Sequence, residues 1–130
     1  MPQLRREQWL RVVLVIFGLA SICLFALMRV WPAGWRWQPY DTSYEHMLIA
    51  VYATLGVFLL LAVPRPERSR SLILFTAWSS LVHAGIMAVD AIRHAEQGHL
   101  VVDIPILALG GVLLLVLAPP TGIQPRGRGS

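Results

Sequence analysis

Residues 71–97 have the sequence SLILFTAWSSLVHAGIMAVDAIRHAEQ, and this stretch decides the fold. Apart from His83, no side chain between residues 71 and 89 is ionisable. A helix needs about 20 mostly apolar residues to cross a hydrocarbon core about 30 Å thick. The stretch therefore predicts a membrane-spanning helix.

Three other uncharged stretches are long enough to cross a membrane as helices: residues 12–28, 47–64 and 104–124. Pro119 and Pro120 interrupt the last of them, which reaches spanning length if residues 100–102 join it. Only 14% of the chain is charged, against about 25% in soluble domains. We therefore predict an all-α, four-transmembrane-helix bundle in one domain, residues 1–118, with a Pro/Gly/Arg-rich tail over 119–130. The expected helices are about 7–31, 44–63, 71–97 and 103–118.

The first stretch follows Arg5 and Arg6, as the apolar part of a signal peptide would. It is 17 residues long and has no small-residue cleavage pattern after it, whereas signal peptides have apolar cores of about 7–15 residues. We therefore expect a retained helix.

The arginines are distributed unequally over the two sides of a four-span arrangement. Eight flank the side of the termini and of the 64–70 connector, and three flank the other side. Because basic residues favour the cytoplasmic side, both termini are predicted to be cytoplasmic, in a cell inner membrane. Anionic lipid accounts for the basic side, so nucleic acid is not an expected partner.

Polar residues recur at spacings of three and four along the third predicted helix. They lie within about 80° of one another around the helix axis, and we call them the polar stripe: Thr76, Ser80, His83, Met87, Asp90 and His94. Such a stripe is costly in a bilayer unless it faces protein, water or a bound group.

The residues of the polar stripe are expected to lie at different depths in the bilayer. Counting from Leu72, a rise of 1.5 Å per residue places His83 about 16 Å deep, near the midplane, and Asp90 about 27 Å deep, near the outer boundary. Glu45 and Tyr52 share one face of the second helix in the same outer half. The residues of the candidate polar cavity are His83, Asp90, Glu45, Tyr52, Ser80 and Met87.

Two other interpretations of the stripe remain open. A metal site would use His83, Asp90 and His94, although no HxxxH, HxH or CxxC motif supports it. Alternatively, the stripe is a packing seam, because the same spacing occurs in left-handed helix packing. Five glycines are expected to be contact points between helices: Gly18, Gly56, Gly85, Gly110 and Gly111.

Local signals predict the helix ends on the outer side. Gly98 is the expected left-handed terminator of the third helix. Asp103 is the expected N-cap of the fourth, with Pro105 in its first turn. The aromatic residues 31, 35, 37 and 40 indicate an interfacial belt.

The layout of four short spans with the connector Pro-Arg-Pro-Glu-Arg-Ser-Arg at 64–70 resembles the DoxX-like group of small bacterial inner-membrane proteins. Segments 44–56, 78–84 and 98–100 are similar to an uncharacterised subfamily of about this length. The resemblance implies a four-helix bundle, in some members associated with membrane redox complexes. It implies no catalytic residues.

The expected function is that of a multi-pass membrane protein acting as an accessory or partner-binding subunit, without enzymatic activity. The alternatives are a small transporter or ligand-binding bundle with an outward-facing cavity around His83 and Asp90, or a redox subunit binding metal or quinone. The chain has no nucleotide-binding motif, and no cofactor is evident. It also has no nucleophile–base pair at a spacing that is recognisable from the sequence. The expected partners are the lipid bilayer and a membrane protein or a second copy of the chain.

Overall fold

The computed structural model describes residues 2–31, 43–95 and 97–121, which form helices and turns without a β-strand among them. The all-α prediction is confirmed at this level. Residues 35, 37 and 40 of the predicted aromatic belt and most of the tail lie outside the described residues. The helices are α1 (Pro2–Ile22), α2 (Leu24–Val30), α3 (Ser43–Ala62), α4 (Arg70–His94), α5 (Gln97–Val101) and α6 (Asp103–Leu117), with a 3₁₀ turn at Pro66–Ser69.

Three helical segments are long and apolar enough to cross a membrane: Ser43–Ala62, Pro66–His94 and Gln97–Leu117. The bent pair formed by α1 and α2 makes a fourth if it counts as one span. Only 17% to 28% of the residues in the most apolar windows of the three segments are buried, so large apolar side chains such as Phe58 and Trp78 point outward. Apolar surface on this scale is typical of helices that lipid covers.

The first predicted helix is divided in the structure. Instead of one helix over residues 7–31, α1 and α2 meet at Cys23 with a bend of 63°. Cys23 has φ −83° and ψ 6°, which lies outside the α-helical range and turns the helix axis. No proline or glycine stands at the break, so the sequence offers no local signal for it.

The helices pack in a definite order. α1 packs against α3, α4 packs against α6, and α1 also contacts α6, whereas α3 and α4 hardly approach one another. All four contribute to a single apolar core near the start of α1. We call the end of the bundle that contains this core the closed end. The buried residues of the core include Leu10, Leu14, Leu59, Ile73 and Leu114.

Arginine side chains tie the helix ends together at the closed end. Arg6 donates hydrogen bonds to the carbonyl oxygens of Val116 (2.9 Å) and Ala118 (2.8 Å). Arg70 Nε donates to the carbonyl of Pro119 at 2.8 Å. The last carbonyls of a helix lack intrahelical partners, and a cation there is favoured by the helix dipole. These arginines therefore stabilise the end of α6.

The backbones of α1 and α3 touch at two glycines. A Cβ atom added to Gly56 would lie 2.5 Å from the carbonyl oxygen of Gly18, and one added to Gly18 would lie 3.0 Å from that of Gly56. Small residues allow this approach between apolar helices. The predicted contact role is therefore correct for this pair.

The other three glycines differ from one another. A Cβ on Gly110 would lie 2.5 Å from the Phe17 ring, and one on Gly111 would lie 3.0 Å from the Ala77 carbonyl oxygen, so both mark close contacts. Gly85 has nothing within 4 Å of such an atom. The prediction of a helix contact at Gly85 is therefore wrong.

The structure also corrects the helix ends on the opposite side. α4 ends at His94, and Ala95 adopts the left-handed conformation with φ 57°. Gly98 lies inside α5 and does not terminate α4. Val102, not Asp103, is the N-cap residue of α6, and it makes no side-chain capping bond. The Asp103 carboxylate instead accepts a hydrogen bond from His99.

Candidate ligand-binding cleft

The helices diverge beyond the closed end and enclose a cleft of about 650 Å³. This volume lies within the range of about 300–1,000 Å³ found for small-molecule sites. α1, α2, α3, α4 and α6 all contribute to its lining. Most of the lining is apolar, and it includes Ile16, Phe17, Leu48, Ile86, Leu107 and Leu113.

The polar groups of the cleft come from four helices, and they include Ser21 of α1 and Tyr44 at the start of α3. Glu45 and Tyr52 belong to α3, His83 and Asp90 to α4, and Asp103 to α6. α3 and α6 begin on the side of the bundle opposite Arg6, and α4 ends there. The carboxyl groups of Glu45, Asp90 and Asp103 therefore share that side, which we call the open end. The described lining residues include no arginine or lysine.

Tyr52 and His83 lie deeper in the cleft and bond to each other. The Tyr52 hydroxyl oxygen is 2.6 Å from His83 Nδ1, and the ring centroids are 5.8 Å apart. We call this hydrogen bond the Tyr52–His83 bridge. It connects α3 to α4 directly, across the side of the bundle where these two helices do not pack. The two residues are 31 positions apart in sequence, so helical spacing could not have paired them.

The first part of the polar stripe is buried in helix packing. Thr76 is fully buried, and its hydroxyl donates to the Leu72 carbonyl at 2.8 Å. Ser80 is also buried, and it is not among the described residues that line the cleft. Both residues lie toward the closed end, where α4 packs on α6. The packing interpretation holds for this part of the stripe.

The second part of the stripe faces the cleft. His83, Met87 and Asp90 all line it, together with Glu45 and Tyr52. His94 is exposed, and its Nδ1 lies 2.9 Å from the Asp90 carbonyl oxygen. The single stripe thus has two environments, because its first residues are buried in packing and its later residues border the cleft. α4 still packs on α6 in this second half, through a smaller core that contains Ala84, Ala91 and Ile104.

The His99–Asp103 pair is a feature that the sequence analysis missed. His99 Nδ1 donates to Asp103 Oδ2 at 2.8 Å, and both side chains are buried. The spacing of four is the available signal, since residues four apart on a helix are neighbours. The pair connects α5 to the start of α6 beside the cleft.

The described residues do not support the predicted metal site. Among residues 2–31, 43–95 and 97–121, no three His, Cys, Asp or Glu side chains lie close enough to hold a metal ion. Of the three candidates, His94 is exposed while His83 and Asp90 line the cleft. The arrangement is instead suited to hydrogen bonding with a largely apolar molecule.

The comparisons with known proteins give a family and no activity. A family described only as a family of unknown function, DUF6632, matches residues 6–130. No curated protein and no solved structure matches the chain. Any statement about function therefore depends on the cleft.

Proposed function

Because the chain belongs to the DUF6632 family, whose function is unknown, we propose a function from its geometry: the protein binds a small, mainly apolar molecule between membrane-spanning helices. One observation carries this proposal, the cleft of about 650 Å³ with apolar walls and a few polar groups. Apolar concavities with a small number of placed polar groups are the usual form of small-molecule sites.

The proposed setting is a bacterial inner membrane, crossed four times, with both termini in the cytoplasm. The bent pair α1 and α2 forms the first span in this arrangement. The arginines at the closed end support the orientation, since basic residues favour the cytoplasmic side. The cleft then lies in the outer half of the membrane. The resemblance to DoxX-like proteins stays a prediction, because the family match does not bear on it.

Reporter fusions in bacterial cells test the orientation. We expect green fluorescent protein to fluoresce when fused after residue 130, and exported alkaline phosphatase to be active when fused after residue 97. The reason is that the arginines favour the side of the termini. Each reporter at the other position is the control. Phosphatase activity at residue 130 would reverse the proposed orientation.

The role of an accessory or partner-binding subunit also stays a prediction. No contact of the described residues favours it over ligand binding. The redox alternative likewise lacks a specific observation, and its quinone form would be one kind of ligand for the same cleft.

Filling the cleft tests ligand binding. Ala20 is an exposed alanine of α1 that lines the cleft, and Ala50 is an exposed alanine of α3 outside its lining. We expect Ala20→Trp to weaken binding of the neutral fluorophore N-phenyl-1-naphthylamine by at least about tenfold, equivalent to 1.4 kcal/mol, because the indole occupies cleft volume. Ala50→Trp should leave the affinity unchanged.

Native mass spectrometry of the purified protein measures the bound fraction and the stoichiometry directly. The expected stoichiometry is one fluorophore per chain. Equal binding to the wild type and to Ala20→Trp would contradict the proposal, as would a complete lack of binding to the wild type.

A further inference from the structure

We propose that the ligand is an uncharged lipid alcohol or phenol, which passes from the bilayer between α3 and α4 and is held by its hydroxyl group at the Tyr52–His83 bridge. This inference rests on the proposed function and names the ligand class of the same cleft. Three observations carry it. They are the hydrogen-bonding capacity of the bridge, its distance from the carboxyl groups of Glu45 and Asp90, and the apolar border of the opening between α3 and α4.

The bridge offers the same groups to a ligand in either tautomer of a neutral His83. If the Tyr52 hydroxyl donates to Nδ1, the Nε2–H of His83 is left as a donor and the Tyr52 oxygen as an acceptor. If Nδ1–H donates instead, the Tyr52 hydroxyl is left as a donor and Nε2 as an acceptor. The structure shows no further hydrogen bond from either side chain among the described residues. One donor beside one acceptor matches a hydroxyl group, which is both.

The position of the bridge favours a neutral head group. Asp90 is seven residues from His83, and Glu45 is seven residues from Tyr52, so these two carboxyl groups lie about 10 Å farther along their helices. The third, Asp103, is close enough to act on His83 electrostatically, but it already accepts a hydrogen bond from His99. An ammonium group at the bridge would be desolvated beside no carboxylate of α3 or α4, and the Asp103 carboxylate is engaged by His99, so its burial is costly. A carboxylate head would be desolvated in the same way, and the carboxyl side chains of Glu45 and Asp90 line the cleft between the bridge and the open end.

The opening between α3 and α4 has an apolar border. Leu48 lies one turn from Tyr52, and Ile86 lies one turn from His83, both toward the open end. These side chains line the cleft and are also 40% and 59% exposed. On the other side of the bridge, the buried side chains of Leu59 and Ile73 belong to the same core cluster and close the seam. The opening therefore lies in the apolar part of the helices, where lipid-soluble molecules have access.

Four compounds with one tail and different heads test the inference: dodecane, dodecanol, dodecanoate and dodecylammonium. Each competes with N-phenyl-1-naphthylamine for the protein in lipid nanodiscs, and its concentration is expressed per lipid. We expect dodecanol to bind about tenfold more tightly than dodecane, because about two net hydrogen bonds are gained. Dodecanoate and dodecylammonium should bind more weakly than dodecanol.

A conservative substitution locates the head group. Tyr52→Phe keeps the ring and removes the hydroxyl, so it should lower dodecanol affinity about tenfold and leave dodecane affinity unchanged. Unchanged dodecane binding also shows that the variant is folded. Tyr44 also lines the cleft, but at its open end, where it is 80% exposed. Tyr44→Phe therefore tests whether the hydroxyl at the bridge, rather than any tyrosine hydroxyl of the cleft, holds the head group, and it should preserve the preference for dodecanol over dodecane.

The outcomes separate the two proposals. If dodecane competes as well as dodecanol, ligand binding stands and the hydroxyl inference is wrong. Tightest binding of dodecylammonium would overturn the inference in favour of recognition by the carboxyl groups, and tightest binding of dodecanoate would overturn it too. An equal loss of preference in Tyr44→Phe and Tyr52→Phe would also overturn it. If neither the fluorophore nor any of the four compounds binds, the proposed function itself fails.

Discussion

Replacing Gly56 with alanine is expected to lower the free energy of unfolding by about 2 kcal/mol. The added Cβ would lie 2.5 Å from the Gly18 carbonyl oxygen and 2.8 Å from Ile22 Cγ1. The backbone atom cannot rotate away as a flexible side chain could, so α1 and α3 must separate. Part of the α1–α3 packing is then lost, and SDS titration of the purified protein measures the loss.

Gly85 provides the matched control within the same chain. It is also a glycine inside a long helix, but nothing lies within 4 Å of an added Cβ. Gly85→Ala should therefore be neutral or stabilising by about 0.5–1 kcal/mol, since alanine favours the helix. If the two substitutions change stability equally, the close crossing at Gly56 is not what stabilises the α1–α3 pair.

Replacing Asp103 with leucine is expected to cost about 3 kcal/mol of stability. The substitution removes the carboxylate that accepts the His99 hydrogen bond at 2.8 Å, in a site where both side chains are buried. Asp103→Asn retains an oxygen acceptor of the same shape and should cost less. Thermal unfolding in detergent measures both variants.

A double-mutant cycle separates the pair from its surroundings. Replacing both partners, His99→Phe with Asp103→Leu, removes the buried polar groups together, and such exchanges are often nearly neutral. The double variant should therefore recover about 2 kcal/mol of the loss caused by Asp103→Leu. Additive losses from the two single substitutions would mean that the His99–Asp103 bond contributes nothing specific to stability.

The sequence was most informative about the helices themselves. Length and uncharged composition are local properties, so α3, α4 and α6 could be predicted from runs of apolar residues. Depth along α4 separated His83, near the midplane, from Asp90, near the outer boundary, but it did not separate His83 from Ser80. The burial of Ser80 depends on where α6 packs, which spacing along one helix does not show.

The features that a single helix cannot encode were not predicted. The Tyr52–His83 bridge depends on the distance between α3 and α4, and hence on both helices packing against other partners. The bend at Cys23 has no proline or glycine beside it, and Ala95 takes the left-handed conformation that Gly98 was expected to adopt. These are consequences of tertiary packing, which overrides weak local preferences.

If α1 and α2 count as one span, the bend at Cys23 determines how well that span matches the thickness of a bilayer. From Val12 to Ile22, α1 rises about 16 Å, and α2, turned by 63°, adds only about 5 Å along the same axis. Together they are shorter by roughly a third than a hydrocarbon core of about 30 Å. Hydrophobic mismatch of this kind is relieved by local thinning of the bilayer or by snorkelling of flanking residues. The lipid beside α1 and α2 is therefore the place where the membrane would deform around this protein.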